Sequence, residues 1–128
     1  MTPTPRALEL LICRQVIVDS LTDEPTCVGI KTSLKMECFP SPPVNLAFFA
    51  SLTDGLGDGD LELVITRLGS GETIYQAERR IHLAHRLAIS HVYGNLPALT
   101  FPAADVYAIS LLVDQQLAAI RHIRVREK

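Results

Sequence analysis

Tryptophan is absent, and Phe and Tyr bring the aromatic share to only 5% of 128 residues. So few rings leave little to stack bases on, which argues against a nucleic-acid platform. A strong excess of either charge is missing too. The formal net charge is −2, so no global field points to nucleic acid or an acidic membrane. Arg79, Arg80, Arg86, Arg121, Arg124 and Arg126 are the material for a basic patch, with few aromatics among them. No apolar run approaches the ~20 residues of a membrane span. Arg6 precedes an apolar stretch, but Glu9 interrupts it and Arg14 ends it. No signal peptide is read there, and a cytoplasmic setting is expected. Cysteine is sparse. Cys13, Cys27 and Cys38 are an odd set without CxxC spacing, unlike a secreted disulfide framework. They read as apolar thiols in a reducing compartment. A Cys13–Cys27 bridge between adjacent strands would need an oxidising one.

What is present is the composition of a folded domain, 48% apolar and 20% charged. The length fits one domain. Residues 1–6 read as a flexible leader and residues 7–128 as the domain. Alternation of apolar and polar residues then marks strands. Residues 8–19 alternate through Leu8, Leu10, Ile12, Val16 and Val18, with Arg14 the exception. Residues 26–36 alternate most cleanly, with Val28, Ile30, Leu34 and Met36 facing one way. Pro40, Pro42 and Pro43 stop that strand. Residues 44–53 put Val44, Leu46, Phe48, Ala50 and Leu52 on one face. Residues 53–60, TDGLGDGD, read as an irregular loop. Residues 61–68 turn Leu61, Leu63 and Ile65 inward. Gly69-Ser70-Gly71 makes a hairpin turn. Residues 76–93 are ambiguous, because Ala77, Ile81, Ala84, Ala88 and Val92 recur at helical spacing. Strands over 73–83 and 88–96 are preferred, with a short helix around 77–88 as the alternative. Asn95-Leu96-Pro97 punctuates the entry to the last hairpin. That hairpin runs through residues 106–113, a turn at 114–116, and residues 117–125. The total is an all-β fold of seven or eight strands, a two-sheet antiparallel β-sandwich.

Chemistry is thinly signalled. Asp54, Asp58 and Asp60 lie on a glycine-rich stretch, and carboxylates on a flexible loop suit calcium. The spacing is not that of an EF-hand, and strand connections rich in Gly and Asp are usually only turns. His82, His85, His91 and His122 lack HExxH spacing. His82 and His85 would share a face on a helix, but fall on opposite faces of a strand. No nucleophile elbow or phosphate loop is found, so no enzyme and no cofactor is expected.

The stretch Phe101-Pro102, Asp105-x-Tyr107, an alternating strand and a polar hairpin resembles the closing strands of immunoglobulin-like sandwiches. Asp105-x-Tyr107 resembles their tyrosine corner, whose hydroxyl bonds back to the backbone. The core Trp and sheet-bridging cysteines of immunoglobulins are missing. Leu11-Ile12-Cys13-Arg14-Gln15-Val16, Val28-Gly29-Ile30 and the closing hairpin also resemble a family of small bacterial proteins of unknown function. Val106 and Asp114-Gln115 stand where that family has Gly and Asp-Gly. The resemblance implies a β-sandwich in a bacterial cytoplasm and transfers no catalytic residue. The expectation is a non-enzymatic module that contacts a protein partner or itself, a homodimer included, with no nucleic acid and no membrane. The competing expectation is a ligand- or calcium-binding module using residues 54–60.

Overall fold

A computed structural model describes residues 5–55, 57–83 and 88–128. Nine strands are present among them: β1 (Arg6–Val18), β2 (Pro25–Ile30), β3 (Ser33–Met36), β4 (Val44–Thr53), β5 (Gly57–Arg67), β6 (Thr73–Leu83), β7 (Ser90–Leu99), β8 (Asp105–Val113) and β9 (Gln116–Glu127). They form two sheets, ordered β2-β1-β4-β7 and β3-β9-β8-β5-β6. The fold is an all-β two-sheet sandwich. Neighbours pair antiparallel except β3 and β9, which run parallel. No helix occurs among the described residues, so none there is long and apolar enough to cross a membrane.

The core lies between the inner rows. Leu46, Phe48, Ala50 and Leu52 of β4 face Leu61, Leu63 and Ile65 of β5 and Tyr107, Ile109, Leu111 and Val113 of β8 in one buried cluster. Each large aliphatic side chain removed from water in this way contributes about 1.5–3 kcal/mol. Period-two patterning therefore fixes which face of each strand turns in. β4 is buried on its other face too, where Phe49 stacks on Tyr93 at 6.5 Å between ring centroids.

The last hairpin forms where the alternation places it. Its turn is Asp114-Gln115, with φ of 50° and 67°. Two consecutive positive φ values suit the right-handed twist of a two-residue hairpin. The turn also reaches sideways. Asp114 Oδ1 accepts the Asp60 amide at 2.9 Å, and the Asp114 amide donates to the Asp60 carbonyl at 2.9 Å.

That sideways contact corrects the loop reading of residues 53–60. Gly57 to Asp60 already belong to β5 and pair with β6, from Gly57 opposite Leu83 to Asp60 opposite Arg80. Glycine and aspartate disfavour strands, but the Arg80–Asp60 ion pair, the His82–Asp58 hydrogen bond and the Asp114 contact hold them there. Leu56 lies outside the described residues.

Residues 26–36 are also not one strand. β2 sits in the first sheet and β3 in the second. Gly29 adopts φ 68°, a conformation L side chains resist, and the chain crosses between sheets just after it. Leu34 and Met36 are buried as the alternation requires, whereas Ile30 is 53% exposed.

Leu8 is 49% exposed, because a register shift between Ala7 and Glu9 displaces it from the inner row. β7 runs through Pro97 to Leu99 rather than ending near Leu96. Pro97 is tolerated there because β7 is an edge strand. The helical alternative fails for residues 77–83, which are strand. Ala84, His85, Arg86 and Leu87 lie outside the described residues. So do Met1 to Thr4 of the leader, while Arg6 already opens β1.

Candidate functional site

β6 and β7 each close one sheet on the same side of the sandwich, and neither pairs with the other. β6 places Tyr75, Ala77 and Arg79 on its inner row, opposite Ile65, Leu63 and Leu61. Directly opposed residues of an antiparallel pair share a face. A short Ala and a charged Arg thus stand where large apolar side chains would complete the core. The space they leave is a slot of about 140 Å³. Its floor is Phe48, Leu61, Leu63 and Leu96, and Tyr75, Arg79 and Asn95 stand around its mouth.

Arg79 spans the opening. Its Nη1 donates to the Tyr93 carbonyl of β7 at 3.0 Å, tying together two strands that share no ladder. Gly94, next along β7, makes room for this. A Cβ there would lie 3.0 Å from the Phe48 ring and 3.5 Å from the guanidinium. A cavity of about 150 Å³ holds a benzene-sized group, so the slot fits one apolar side chain or an equivalent fragment. The arrangement is suited to binding an apolar group under a cationic rim.

The outer face of β6 is charged. Glu78 lies directly opposite Glu62 of β5, and Arg80 opposite Asp60. Hydrogen bonding with Glu62, then repulsion from it, raises the Glu78 carboxyl above its ordinary range. Arg80 Nη1 donates to Asp60 Oδ1 at 2.8 Å. An open acidic depression lined by Asp60, Glu62, Glu78, Asp114 and Gln115 lies alongside.

The sequence candidates Asp54, Asp58 and Asp60 do not converge. Asp54 pairs with Arg6 at 3.2 Å, Asp58 with His82 Nδ1 at 2.8 Å, and Asp60 with Arg80. Among the described residues, no three His, Cys, Asp or Glu side chains stand where they could share a metal ion. His91 packs against Phe49, 5.3 Å between ring centroids. His122 is exposed on β9, and His85 lies outside the described residues. Cys13, Cys27 and Cys38 are free thiols. Burial, then the neighbouring Cys13, pushes the Cys27 thiol up to about 11.

Asp105 and Tyr107 build a corner at the start of β8. The Tyr107 hydroxyl donates to the Ala103 carbonyl at 2.7 Å, four residues upstream. The Tyr107 ring meets Phe101 edge-on at 5.0 Å. Asp105 Oδ2 accepts from Arg67 Nε at 2.9 Å and from the Gly69 amide at 3.1 Å, and its Oδ1 accepts the Val106 amide at 2.7 Å. These bonds, Arg67 first, hold the Asp105 carboxyl below its ordinary range. The sequence offers Ala77 only as part of a helical spacing and Arg79 only among the arginines of a basic patch, and gives no signal for Gly94.

No family model and no curated protein matches the chain. Among solved structures it is similar to an immunoglobulin-like protein from Pseudomonas aeruginosa, 14% identical, with 95% of this chain and 96% of that chain covered and a TM-score of 0.48.

Proposed function

We propose that the protein is a binding module that receives an extended segment of a protein partner along β6, with one apolar side chain of that segment in the slot. The observation that carries this is the pairing of an open strand edge with an apolar slot beside it. Strand addition takes affinity from main-chain hydrogen bonds and specificity from pockets for alternate side chains. Of the four edge strands, β6 is the best template. β2 has six residues and contains Pro25 and Gly29, and β3 has four. β7 carries Gly94, Pro97 and Ala98 at φ 53°. β6 runs for 11 residues with no Gly or Pro. The free thiols support a reducing compartment such as the cytoplasm.

Peptide display on the folded protein, followed by amide chemical-shift mapping, tests this reading. Selected peptides should share one apolar anchor, and their shifts should fall on β6 and on the slot residues. Ala77→Leu, which fills the slot, should weaken binding about tenfold or more, since a lost apolar anchor is worth 1.5–3 kcal/mol. Shifts confined to other strands, or binding indifferent to Ala77→Leu, would overturn it.

A further inference from the structure

The charge pattern of β6 names a partner. We infer that β6 pairs antiparallel with β6 of a second copy of this chain, centred on Arg79, so that each Glu78 faces the partner's Arg80. This inference rests on the reading of β6 as a docking strand.

Antiparallel pairing of two identical edges puts a two-fold axis normal to the sheet, so one residue faces its own copy. Outer-face residues then meet outer-face residues. Centring on Glu78 sets two carboxylates opposite each other, and centring on Arg80 sets two guanidiniums opposite. Centring on Ala77 leaves Arg80 across from Ile74. Centring on Arg79 alone makes two Glu–Arg contacts on the outer face.

The inner row agrees. In that alignment the partner's Ile81 stands opposite Ala77, at the mouth of the slot, while Leu83, opposite Tyr75, is already buried within its own chain and adds nothing. The two Arg79 side chains meet at the axis, but each head group is drawn away to its own Tyr93 carbonyl. Glu78 gains most. Within one chain its cross-strand neighbour is the like charge of Glu62, and the partner's Arg80 brings a cation to it. Charged edges resist indiscriminate pairing, so these same residues select one register over its neighbours.

Sedimentation over a concentration range up to millimolar, on the wild type and two variants, tests the inference. The wild type should dimerise reversibly. Glu78→Arg should weaken the dimer at least about tenfold, because both symmetric contacts turn repulsive. That variant also relieves the Glu62 repulsion, so loss of the dimer cannot be assigned to loss of the fold. The triple variant Glu78→Arg, Arg80→Glu and Asp60→Arg restores unlike pairs across the axis, keeps an unlike pair between positions 60 and 80 within the chain, and should return association to within about threefold of wild type. A wild-type chain that stays monomeric, a dimer untouched by Glu78→Arg, or a triple variant that fails to recover would each overturn the inference. If selected peptides still dock on β6 while the chain sediments as a monomer, self-pairing fails and the docking reading stands. If peptides avoid β6 as well, both fail.

Discussion

The two hairpins of the five-stranded sheet share a strand pattern and meet opposite fates. In β8–β9 the inner row of β8 is Tyr107, Ile109, Leu111 and Val113, all buried. In β5–β6 the inner row of β5 is equally buried, but β6 answers it with Tyr75, Ala77 and Arg79, none of them buried. Among the described residues β8 has a neighbour on each side, β9 and β5, and β6 pairs with β5 alone. The difference is one of position in the sheet. An inner strand spends its side chains on the core and its backbone on two ladders. An edge strand with a small residue inside keeps half its backbone groups and a slot available.

The sharpest way to break that comparison is to delete matching apolar groups. Leu111→Ala should lose about 2–5 kcal/mol in urea unfolding. Ile81→Ala on β6 should lose about 1–2 kcal/mol, because Ile81 is only partly buried. Equal losses would erase the distinction. Tyr107→Phe comes next, at about 1–1.5 kcal/mol, since the Ala103 carbonyl loses its 2.7 Å donor. A change within error would remove the corner from the list of things that fix β8.

The hairpins should also answer acid in opposite senses. Asp105 has a lowered folded pKa, set first by Arg67. Its contribution is present above the ordinary carboxylate value, roughly pH 4, and is lost as pH falls through the folded value. Glu78 has a raised folded pKa, set first by Glu62. Its contribution is fully present below the ordinary value and is lost as pH rises through the folded one. Melting followed from neutral pH to acid should show Asp105→Asn removing part of the acid-side loss and Glu78→Gln removing an acid-side gain. The same sign in both variants would contradict this. The smallest effect is expected from Ala77→Leu, within about 1 kcal/mol of wild type, since filling a void gains contacts while overpacking strains them.

Strands buried on one face were legible because burial and period two coincide in them. Ile109, Leu111 and Val113 needed nothing from distant parts of the chain. Residues 57–60 were not legible, because glycine and aspartate carry no strand signal and are held by Arg80, His82 and Asp114, far along the sequence. The break within 26–36 was hidden since alternation continues across it while the strand changes sheet. The slot depends on Ala77 meeting Leu63 and Gly94 meeting Phe48, which are facts of register between strands. Likewise the Glu62–Glu78 opposition exists only once β5 and β6 are aligned. Local patterning reports which face is inside, and it is silent on what a partly exposed inner row leaves open.

Amide hydrogen exchange along β6 tests the open edge most directly. In dilute protein, every second amide between Tyr75 and Leu83 should exchange fast while the β8 amides stay protected, and those fast amides should slow as the concentration rises. Full protection along β6 at every dilution, or fast amides that never slow with concentration or with a selected peptide, would contradict it.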